Sequence, residues 1–342
     1  MPATTAYNPP FTISPAILRM VGDISEAVGR LSAQQESAAL LRLRRANRIR
    51  TIQGSLAIEG NSLSEEQITA ILEGKRVLAP PREVQEVRNA LTAYDHLEQW
   101  TAHSEADLLA AHAMLMSGLI EESGRYRSGG VGVMAGNHVM HMAPPAKRVP
   151  LLMQDLLGWL KDTEHHPLIS SSVFHYEFEF IHPFADGNGR MGRLWQTRIL
   201  AAWNPVFVRI PVESLVYTHQ QEYYRALQES TAQGQSAPFI EFMLSMIQNA
   251  VAEMNTPQVS PQVTPQVERM LSALANGPAS GMMREELQAA LSLKDRKSFR
   301  QLYLLPALQA GFIEMSLPEK PNSRLQKYRL VAGRNAHGNM GE

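Results

Sequence analysis

The chain has 342 residues, with 32 Lys and Arg against 33 Asp and Glu, 44% hydrophobic residues and no cysteine. This length allows two or three domains with a sizeable core, and the composition excludes a disordered or collagen-like chain, a disulfide framework, thiolate metal sites and a cysteine nucleophile. No run approaches the ~18 apolar residues of a membrane span, and the first residues lack the basic and apolar parts of a signal peptide, so we expect a cytoplasmic protein without membrane contact.

Most of the chain up to residue 254 has the periodicity of amphipathic helices. Residues 14–31 carry apolar side chains at helical spacing, and residues 64–67, Ser-Glu-Glu-Gln, have the pattern of a capping box that opens another helix. The same spacing recurs over residues 84–100, 105–120, 150–160, 170–181 and 190–202. Residues 129–145 interrupt it with alternating apolar residues around a short Gly-Asn turn, which predicts a β-hairpin. The predicted fold class of this part is mostly α.

Residues 182–193, His-Pro-Phe-Ala-Asp-Gly-Asn-Gly-Arg-Met-Gly-Arg, lie between two predicted helices. Gly187 and Gly189 allow positive-φ conformations in which successive backbone N–H groups form an anion-binding nest. The helix that follows adds its N-terminal N–H groups. Arg190 and Arg193 are three residues apart on one helical face and suit separate oxygens of a polyphosphate, and Asn188 can donate to another. This half of the motif indicates a nucleotide phosphate site.

The same motif contains an acid and a base. Asp186 is a hard carboxylate beside the predicted nest, which suits Mg²⁺ that bridges phosphates. His182 supplies an imidazole, which titrates near neutral pH and suits a general base. Required residues are missing for an EF-hand and for a Walker loop. A dinucleotide fingerprint at residues 130–135 is excluded because no helix is predicted to follow it. The other interpretation is a Gly-rich turn whose His and Asp only cap helices.

A small basic module is predicted after residue 254. Residues 256–267 repeat Ser/Thr-Pro-Gln-Val three times, and proline at every fourth position favours an extended linker over residues 255–266. Residues 269–334 hold eleven Lys and Arg against five Asp and Glu. Two predicted helices, the second capped by Asp295, and a final strand pair resemble a winged helix. Its basic cluster, which leaves DNA binding and protein contact both open, is Lys294, Arg296, Lys297 and Arg300.

Residues 182–193 resemble the signature of the Fic (Fic/Doc) family, His-Pro-Phe-x-Asp-Gly-Asn-Gly-Arg-x-x-Arg, without departure. The resemblance spans residues 10–250 and implies a Fic-type helical bundle with a β-hairpin flap, next to the winged-helix-like α/β module. It implies a protein adenylyltransferase, which transfers AMP from ATP to a Ser, Thr or Tyr hydroxyl of a protein, itself included. The implied domains are an N-terminal helical region (1–105), a Fic catalytic core (106–254), the linker (255–266), the winged-helix-like domain (267–334) and a tail (335–342).

The resemblance also implies a role for each residue of the motif. His182 would take the proton of the target hydroxyl, Asp186 would hold Mg²⁺, and Arg193 would meet the γ-phosphate. The implied nucleotide-binding residues are Gly187, Asn188, Gly189, Arg190, Gly192, Arg193, Tyr223 and Tyr224. Packing in an aromatic core is the other interpretation of the two tyrosines. His219-Gln220 stands where the family often has Asn-Arg.

The predicted hairpin resembles the family flap, which holds the target segment by strand pairing. Its implied docking residues are Val131, Gly132, Val133, Val139 and Met140. Residues 124–127, Gly-Arg-Tyr-Arg, also resemble the family. Glu177 and Glu179, by contrast, are two residues apart on a predicted helix and face different directions, which favours structural roles for both.

Residues 55–60, Ser-Leu-Ala-Ile-Glu-Gly, resemble the inhibitory motif of the family, Ser/Thr-x-x-x-Glu-Gly/Asn, with Ser55, Glu59 and Gly60 at its fixed positions. Gly60 can terminate the helix that carries Glu59, and the carboxylate is expected to pair with Arg193, which the γ-phosphate needs. This position before the core implies the class with an N-terminal inhibitory helix. The alternatives are a DNA-binding regulator whose Fic body senses nucleotide, and AMP removal or another phosphoryl-type transfer at the same site. The expected partners are a hydroxyl-bearing protein target, a second copy of the chain and DNA.

Overall fold

The computed structural model separates the chain into two compact units, Met1–Asn255 and Thr256–Glu342. Residues 256–264 of the predicted linker and the whole predicted tail lie outside the described residues. The residues that the structure describes are 7–33, 38–135, 138–255, 265–278, 280–293, 295–309, 312–317, 323 and 325–331.

Within its described residues the first unit is helical apart from one hairpin, as predicted. A 3₁₀ turn, Leu97–Gln99, follows α4, and Gly118, with φ 70°, lies beyond the end of α5, so both helices end before their predicted limits. The elements are α1 (Pro15–Ser32), α2 (Ala38–Ile58), α3 (Glu65–Leu72), α4 (Pro81–His96), α5 (Glu105–Leu115), β1 (Gly132–Ala135), β2 (His138–Met142), α6 (Val149–Asp162), α7 (Pro167–Ile181), α8 (Asn188–Trp203), α9 (Val212–Thr218), α10 (Gln220–Gln233) and α11 (Ala237–Asn255).

Side chains fix the starts of the early helices. The Ser14 hydroxyl accepts a hydrogen bond from the Ile17 N–H and caps α1. The predicted capping box of α3 is confirmed, because Ser64 Oγ accepts from the Gln67 N–H and the Gln67 side chain accepts from the Ser64 N–H. These bonds satisfy N–H groups that have no partner inside the helix.

The core of the first unit surrounds α7, which packs against α8 and is buried along almost its whole length. Phe174, Phe178 and Trp195 are fully buried between these helices and their neighbours. On the next layer α2 packs against α9, and a Cβ at Gly54 would lie 2.7 Å from backbone atoms of Glu213. Glycine therefore permits this backbone approach, which fixes the position of α2 directly before residues 55–60.

The second unit has its own hydrophobic core, to which Leu287, Phe299 and Tyr328 contribute. Its sheet is antiparallel with the strand order β3-β5-β4. The predicted cap is present, since Asp295 Oδ2 accepts from the Ser298 N–H. The elements are α12 (Pro265–Ala275), β3 (Met282–Met283), α13 (Arg284–Ala290), α14 (Arg296–Phe299), a π-helical turn (Arg300–Leu304), α15 (Leu305–Gln309), β4 (Ile313–Met315) and β5 (Lys327–Leu330).

The π-helical turn lies just before a proline. Pro306 has no N–H to donate to a carbonyl four residues earlier, and the turn ends two residues before it. The predicted fold class, mostly α with one hairpin and a small C-terminal α/β module, is confirmed. None of the described helices combines the length and the apolar character that a membrane crossing requires.

Candidate active site

The loop between α7 and α8 brings the predicted base and the predicted phosphate nest together. His182 closes α7 in a left-handed conformation, φ 50° and ψ 62°, which is uncommon for a residue with a side chain. Gly187, with φ 85°, precedes the first residue of α8, and a Cβ there would lie 2.6 Å from the sulfur of Met116. The loop therefore places the imidazole at one side of the N-terminus of α8.

Asn188 has a different role from the predicted one. Its side chain is buried, and its amide donates to the Phe184 carbonyl and accepts from the Phe184 N–H, both at 2.9 Å. These two bonds hold the loop in a closed turn. The side-chain amide is therefore engaged within the loop, and a phosphate contact through the Asn188 backbone N–H in the first turn of α8 stays a prediction.

Arg127, which sequence analysis left without a role, joins the hairpin to this loop. Its side chain is buried, with 3% exposed. The guanidinium donates to the carbonyls of Ile181 and His182, at 3.3 and 2.7 Å. It also donates to the carbonyls of Gly129 and Pro144 at the two ends of the hairpin, at 2.8 and 2.6 Å. One cation thus satisfies carbonyls that the end of α7 leaves without a helical partner and fixes the base of the hairpin beside them.

His112 on α5 supports the loop from the other side. Its ring stacks on Phe184 with centroids 3.6 Å apart, and its Nδ1 accepts from the Gly124 N–H at 2.8 Å. Its Nε2 therefore carries the proton and donates to the Asp186 carbonyl at 3.0 Å. Burial lowers the pKa of His112 to about 4, so the ring is neutral at physiological pH. Only the folded chain reveals this role, because 74 residues separate His112 from Asp186.

Asp186 lies in a network of cations at the mouth of the nest. Its Oδ1 accepts from the Gly187 N–H at 2.6 Å and from Arg190 at 3.2 Å. Its Oδ2 accepts from Arg82 at 3.3 Å. Arg190 is buried and also lies 3.5 Å from Glu86. The nest, one carboxylate and the predicted phosphate-binding arginine thus adjoin.

The donor set at Asp186 fits Mg²⁺ that is shared with phosphates. The Asp186 side chain is 42% exposed and can turn toward a ligand. No group of three or more His, Cys, Asp or Glu side chains within the described residues forms a complete metal cage. Mg²⁺ typically binds through one or two carboxylates, with phosphate oxygens and water as its other ligands. One accessible carboxylate beside an anion nest matches that mode.

Arg193 meets residues of the N-terminal region that are far away in sequence. Its side chain is buried, and Nη2 donates to Glu59 Oε1 at 2.7 Å, across 134 residues of sequence. Nη2 also donates to the Ser55 carbonyl at 2.9 Å, and Nε donates to the Ser55 hydroxyl at 3.1 Å. Gly60, with φ 89°, turns the chain away just after α2. The predicted pairing is present in the structure, and the inhibition that it implies stays a prediction.

The Glu59 carboxylate also contacts the first turn of α8. A Cβ at Gly189 would overlap Glu59 Oε1 and lie 3.0 Å from Arg193. The N-terminus of a helix favours anions because its N–H groups are unpaired and its dipole is positive there. Glu59 therefore occupies a position that suits a phosphate oxygen, and glycine at 189 provides the space.

Gly192, for which a nucleotide contact is predicted, lies against buried side chains. A Cβ at this position would lie 2.7 Å from Glu179 Oε1 and 2.8 Å from the His175 ring. Gly192 therefore faces buried side chains of α7, and its small size lets α8 approach that helix. The spacing of the motif does not distinguish this packing role from a phosphate contact.

Tyr223, the next predicted nucleotide contact, is also buried. It is 2% exposed, its hydroxyl lies 3.1 Å from His175 Nε2, and its ring packs against Phe239 and Phe242. This packing matches the other interpretation of the sequence, an aromatic core. It leaves almost none of the Tyr223 ring exposed to contact adenine. Tyr224 is half-buried, so the predicted adenine contact applies to Tyr224 alone.

Glu177 and Glu179 differ in role although both are buried. Glu177 accepts a hydrogen bond from the Tyr7 hydroxyl at 2.8 Å, which is the predicted structural role. Glu179 instead faces the site, with Oε2 3.9 Å from His182 Nδ1 and Oε1 3.9 Å from His175 Nε2. The spacing of the two acids predicted a structural role for Glu179, although its position one helical turn before His182 could have indicated a place in the site.

The predicted flap is an antiparallel pair of strands. Gly132 pairs with Met142 and Ala135 with His138, with an irregular register after Val133. In the described part of the chain each strand has a partner on one side only, so its other edge can accept an added strand. Residues 136 and 137 at the tip lie outside the described residues. The strands contain or adjoin the predicted docking residues, Val131, Gly132, Val133, Val139 and Met140, whose docking role stays a prediction.

Two regions of the chain match known families. Residues 100–200 match the Fic/DOC family, and residues 265–331 match the family described as "Filamentation induced by cAMP protein Fic-like, C-terminal domain". The crystal structure of a Fic family protein from Desulfovibrio desulfuricans G20 is 51% identical in sequence and has a TM-score of 0.71. That similarity covers 96% of this chain and 100% of the other.

Curated relatives from animals are more distant. Protein adenylyltransferase fic-1 of Caenorhabditis elegans is 28% identical over 70% of this chain and 48% of its own length. Protein adenylyltransferase Fic of Drosophila erecta is 32% identical over 62% of this chain and 43% of its own length. The chain thus spans about half the length of the curated relatives that it matches.

Proposed function

This chain belongs to the Fic family, and from that premise we propose that it is a protein adenylyltransferase that moves AMP from ATP to a protein hydroxyl. The observation that carries the proposal is the loop that places His182 beside the N-terminus of α8, which holds Arg190 and Arg193 on one helix. Relatives named protein adenylyltransferase support it. Nucleotidyl transfer needs a base that accepts the hydroxyl proton and cationic groups that stabilise the phosphate charge, and this site has both.

In this reaction His182 takes the proton from the hydroxyl of the target. The hydroxyl oxygen attacks the α-phosphorus, the bond from that phosphorus to the bridging oxygen breaks, and pyrophosphate leaves. The N–H groups of residues 187–189 and the Arg190 guanidinium bind the phosphates, and Arg193 binds the γ-phosphate. Mg²⁺ held by Asp186 supplies charge neutralisation when it is bound.

The hairpin is the proposed binding site for the target protein. Its strand edges offer backbone N–H and C=O groups to an extended segment of another protein, and such pairing recognises backbone rather than a particular side chain. Because Arg127 holds both ends of the hairpin next to the His182 carbonyl, a segment paired there lies close to the base. The proposed partner is therefore a protein with an exposed, extended segment that carries a hydroxyl.

Autoinhibition is part of the proposal. While Glu59 contacts Arg193 at 2.7 Å, the γ-phosphate lacks its partner. Bound ATP then presents its α-phosphate away from in-line attack, which lowers the rate more than the affinity. Ser55 holds the same guanidinium through two further bonds, so the position of Arg193 does not depend on Glu59 alone.

The test uses purified protein, Mg²⁺ and ATP labelled at either the α- or the γ-phosphate. We expect the protein to retain the α-label and not the γ-label. Retained γ-label would indicate phosphoryl transfer instead. Nucleotide binding without any retained label, also in the Glu59→Gly variant, would favour a nucleotide sensor. Loss of AMP from a pre-labelled target would favour AMP removal.

For the second unit we propose DNA contact through the start of α14. Arg296 and Arg300 are exposed there, while Lys294 lies outside the described residues. We expect the full chain to bind duplex DNA with an affinity that falls steeply with salt, and Arg296→Glu with Arg300→Glu to weaken binding. Arg284→Glu, in the same unit, is the control. Equal weakening by the control, or no binding at low salt, would favour protein contact or dimerisation.

The compartment and the oligomeric state of the chain are also predicted. The absence of cysteine suits a reducing compartment, and we propose the cytoplasm. A homodimer also stays a prediction, which a sedimentation measurement on the full chain would decide.

A further inference from the structure

We infer that Glu179 is a positioning residue for His182: its carboxylate faces Nδ1 of the imidazole, so that Nε2 is the nitrogen that takes the proton of the target hydroxyl. The inference rests on the proposed function, because it assigns a partner to the base of that reaction. It concerns a residue outside the Fic signature, on the helix before it.

The geometry supports this role. Glu179 lies one turn before His182 on α7, and the carboxylate oxygen is 3.9 Å from Nδ1. This distance exceeds a hydrogen bond, but catalytic hydrogen bonds often tighten only in the substrate complex. The other oxygen, Oε1, is buried and has no hydrogen-bond partner among the described residues. It lies against Gly192, where a Cβ would be only 2.7 Å from it. A buried carboxylate oxygen without a partner is costly, which a purely structural role does not explain.

The surroundings decide how the carboxyl titrates. His175 on the same helix is neutral, because burial lowers its pKa to about 3. Arg193 on α8 favours the ionised carboxyl, and Glu59 opposes it. The tyrosines of α10 that face this region are uncharged. Burial dominates and raises the pKa of Glu179 to about 8, so the protonation state changes within an accessible pH range.

The protonation state of Glu179 determines the tautomer of His182. An ionised carboxylate accepts from Nδ1–H and leaves the Nε2 lone pair to act as the base. A protonated carboxyl donates to Nδ1, and the ring proton then lies on Nε2, which cannot take another proton in the neutral ring. In the productive step the hydroxyl proton moves to Nε2, and the ionised Glu179 faces the resulting imidazolium, as in other carboxylate–histidine pairs.

The experiment compares Glu179→Gln with Glu177→Gln, both in the Glu59→Gly background. Glu177 is a matched control because it is buried two residues away on the same helix and contacts Tyr7 instead of the site. With Glu179 intact, we expect kcat/KM for α-label transfer to rise as the pH passes the pKa of Glu179, which loss of the Glu59 carboxylate lowers from about 8. Glu179→Gln should lower kcat/KM by about 10- to 100-fold at pH 9 and remove this rise. Glu177→Gln should keep it.

A second measurement reads the tautomer without turnover. The ¹⁵N spectrum of histidine-labelled protein should show His182 changing from the Nε2–H to the Nδ1–H form as the pH passes about 8, and Glu179→Gln should abolish this change. An unchanged tautomer, or a rate that falls while its pH dependence keeps its shape, would overturn the inference. If no variant transfers label, the proposed function fails, and the spectrum still decides the role of Glu179.

Discussion

Replacing His182 with alanine should reduce transfer of the α-label to protein by about 10²- to 10⁴-fold, the range for loss of a general base. ATP should still bind, because the nest at residues 187–189, Arg190 and Arg193 do not include this side chain. The measurement is a time course of label transfer together with ATP affinity from calorimetry. The control is His103→Ala, because His103 is exposed on the loop before α5, outside the site.

Two results would contradict this prediction. Transfer within a few-fold of the wild-type rate would mean that another group takes the proton. Loss of ATP binding in the variant would mean that the left-handed residue at the end of α7 matters for the loop and not for proton transfer. A companion variant, Asp186→Ala, should lose activity together with its Mg²⁺ dependence.

Glu59→Gly should raise label transfer by about 10- to 100-fold, which corresponds to the ~1.5–3 kcal/mol of a charged hydrogen bond. It removes the carboxylate from both Arg193 and the first turn of α8. The glycine is tolerated because α2 ends at Ile58, before the substituted position. Glu59→Gln, which keeps a hydrogen-bonding group without the charge, should give an intermediate rate. Label transfer to the protein itself and to an added target measures the effect.

The double variant Glu59→Gly with Arg193→Ala distinguishes the mechanism. If inhibition acts through the guanidinium, the gain disappears when Arg193 is absent. Strong transfer by the double variant would mean that Glu59 acts through its contact with the α8 N-terminus at Gly189. Equal rates for wild type and Glu59→Gly would show that Glu59 does not restrain transfer.

Local patterns in the sequence predicted most of the fold. Helical spacing located α1 and α3 to α8 of the first unit but not α9 to α11, and the Ser64 capping box is present as predicted. The pairing of Glu59 with Arg193 was also predicted, but through a family pattern and not through any local rule. The helix ends were less accurate, as at α5, because the end of a helix depends on tertiary contacts and on single residues such as Gly118.

The residues that support the site were harder to predict. Arg127 and His112 act on backbone carbonyls of the loop, and carbonyls carry no sequence signal. Gly192 and Tyr223 belong to the motif or its surroundings, yet they face the core because of how α7, α8 and α10 pack. When a helix is buried on all sides, its periodicity does not show which face points to a site. That face is determined by how the whole bundle packs.

The Arg127 guanidinium has a consequence for how targets are selected. It donates to carbonyls at both ends of the hairpin and to the backbone carbonyl of His182. A target strand that distorts the hairpin therefore also shifts the His182 imidazole. A segment that pairs well but bends the hairpin would therefore bind and react slowly, because a small misplacement of a reacting group lowers the rate strongly. Discrimination between protein targets should consequently appear in kcat more than in KM.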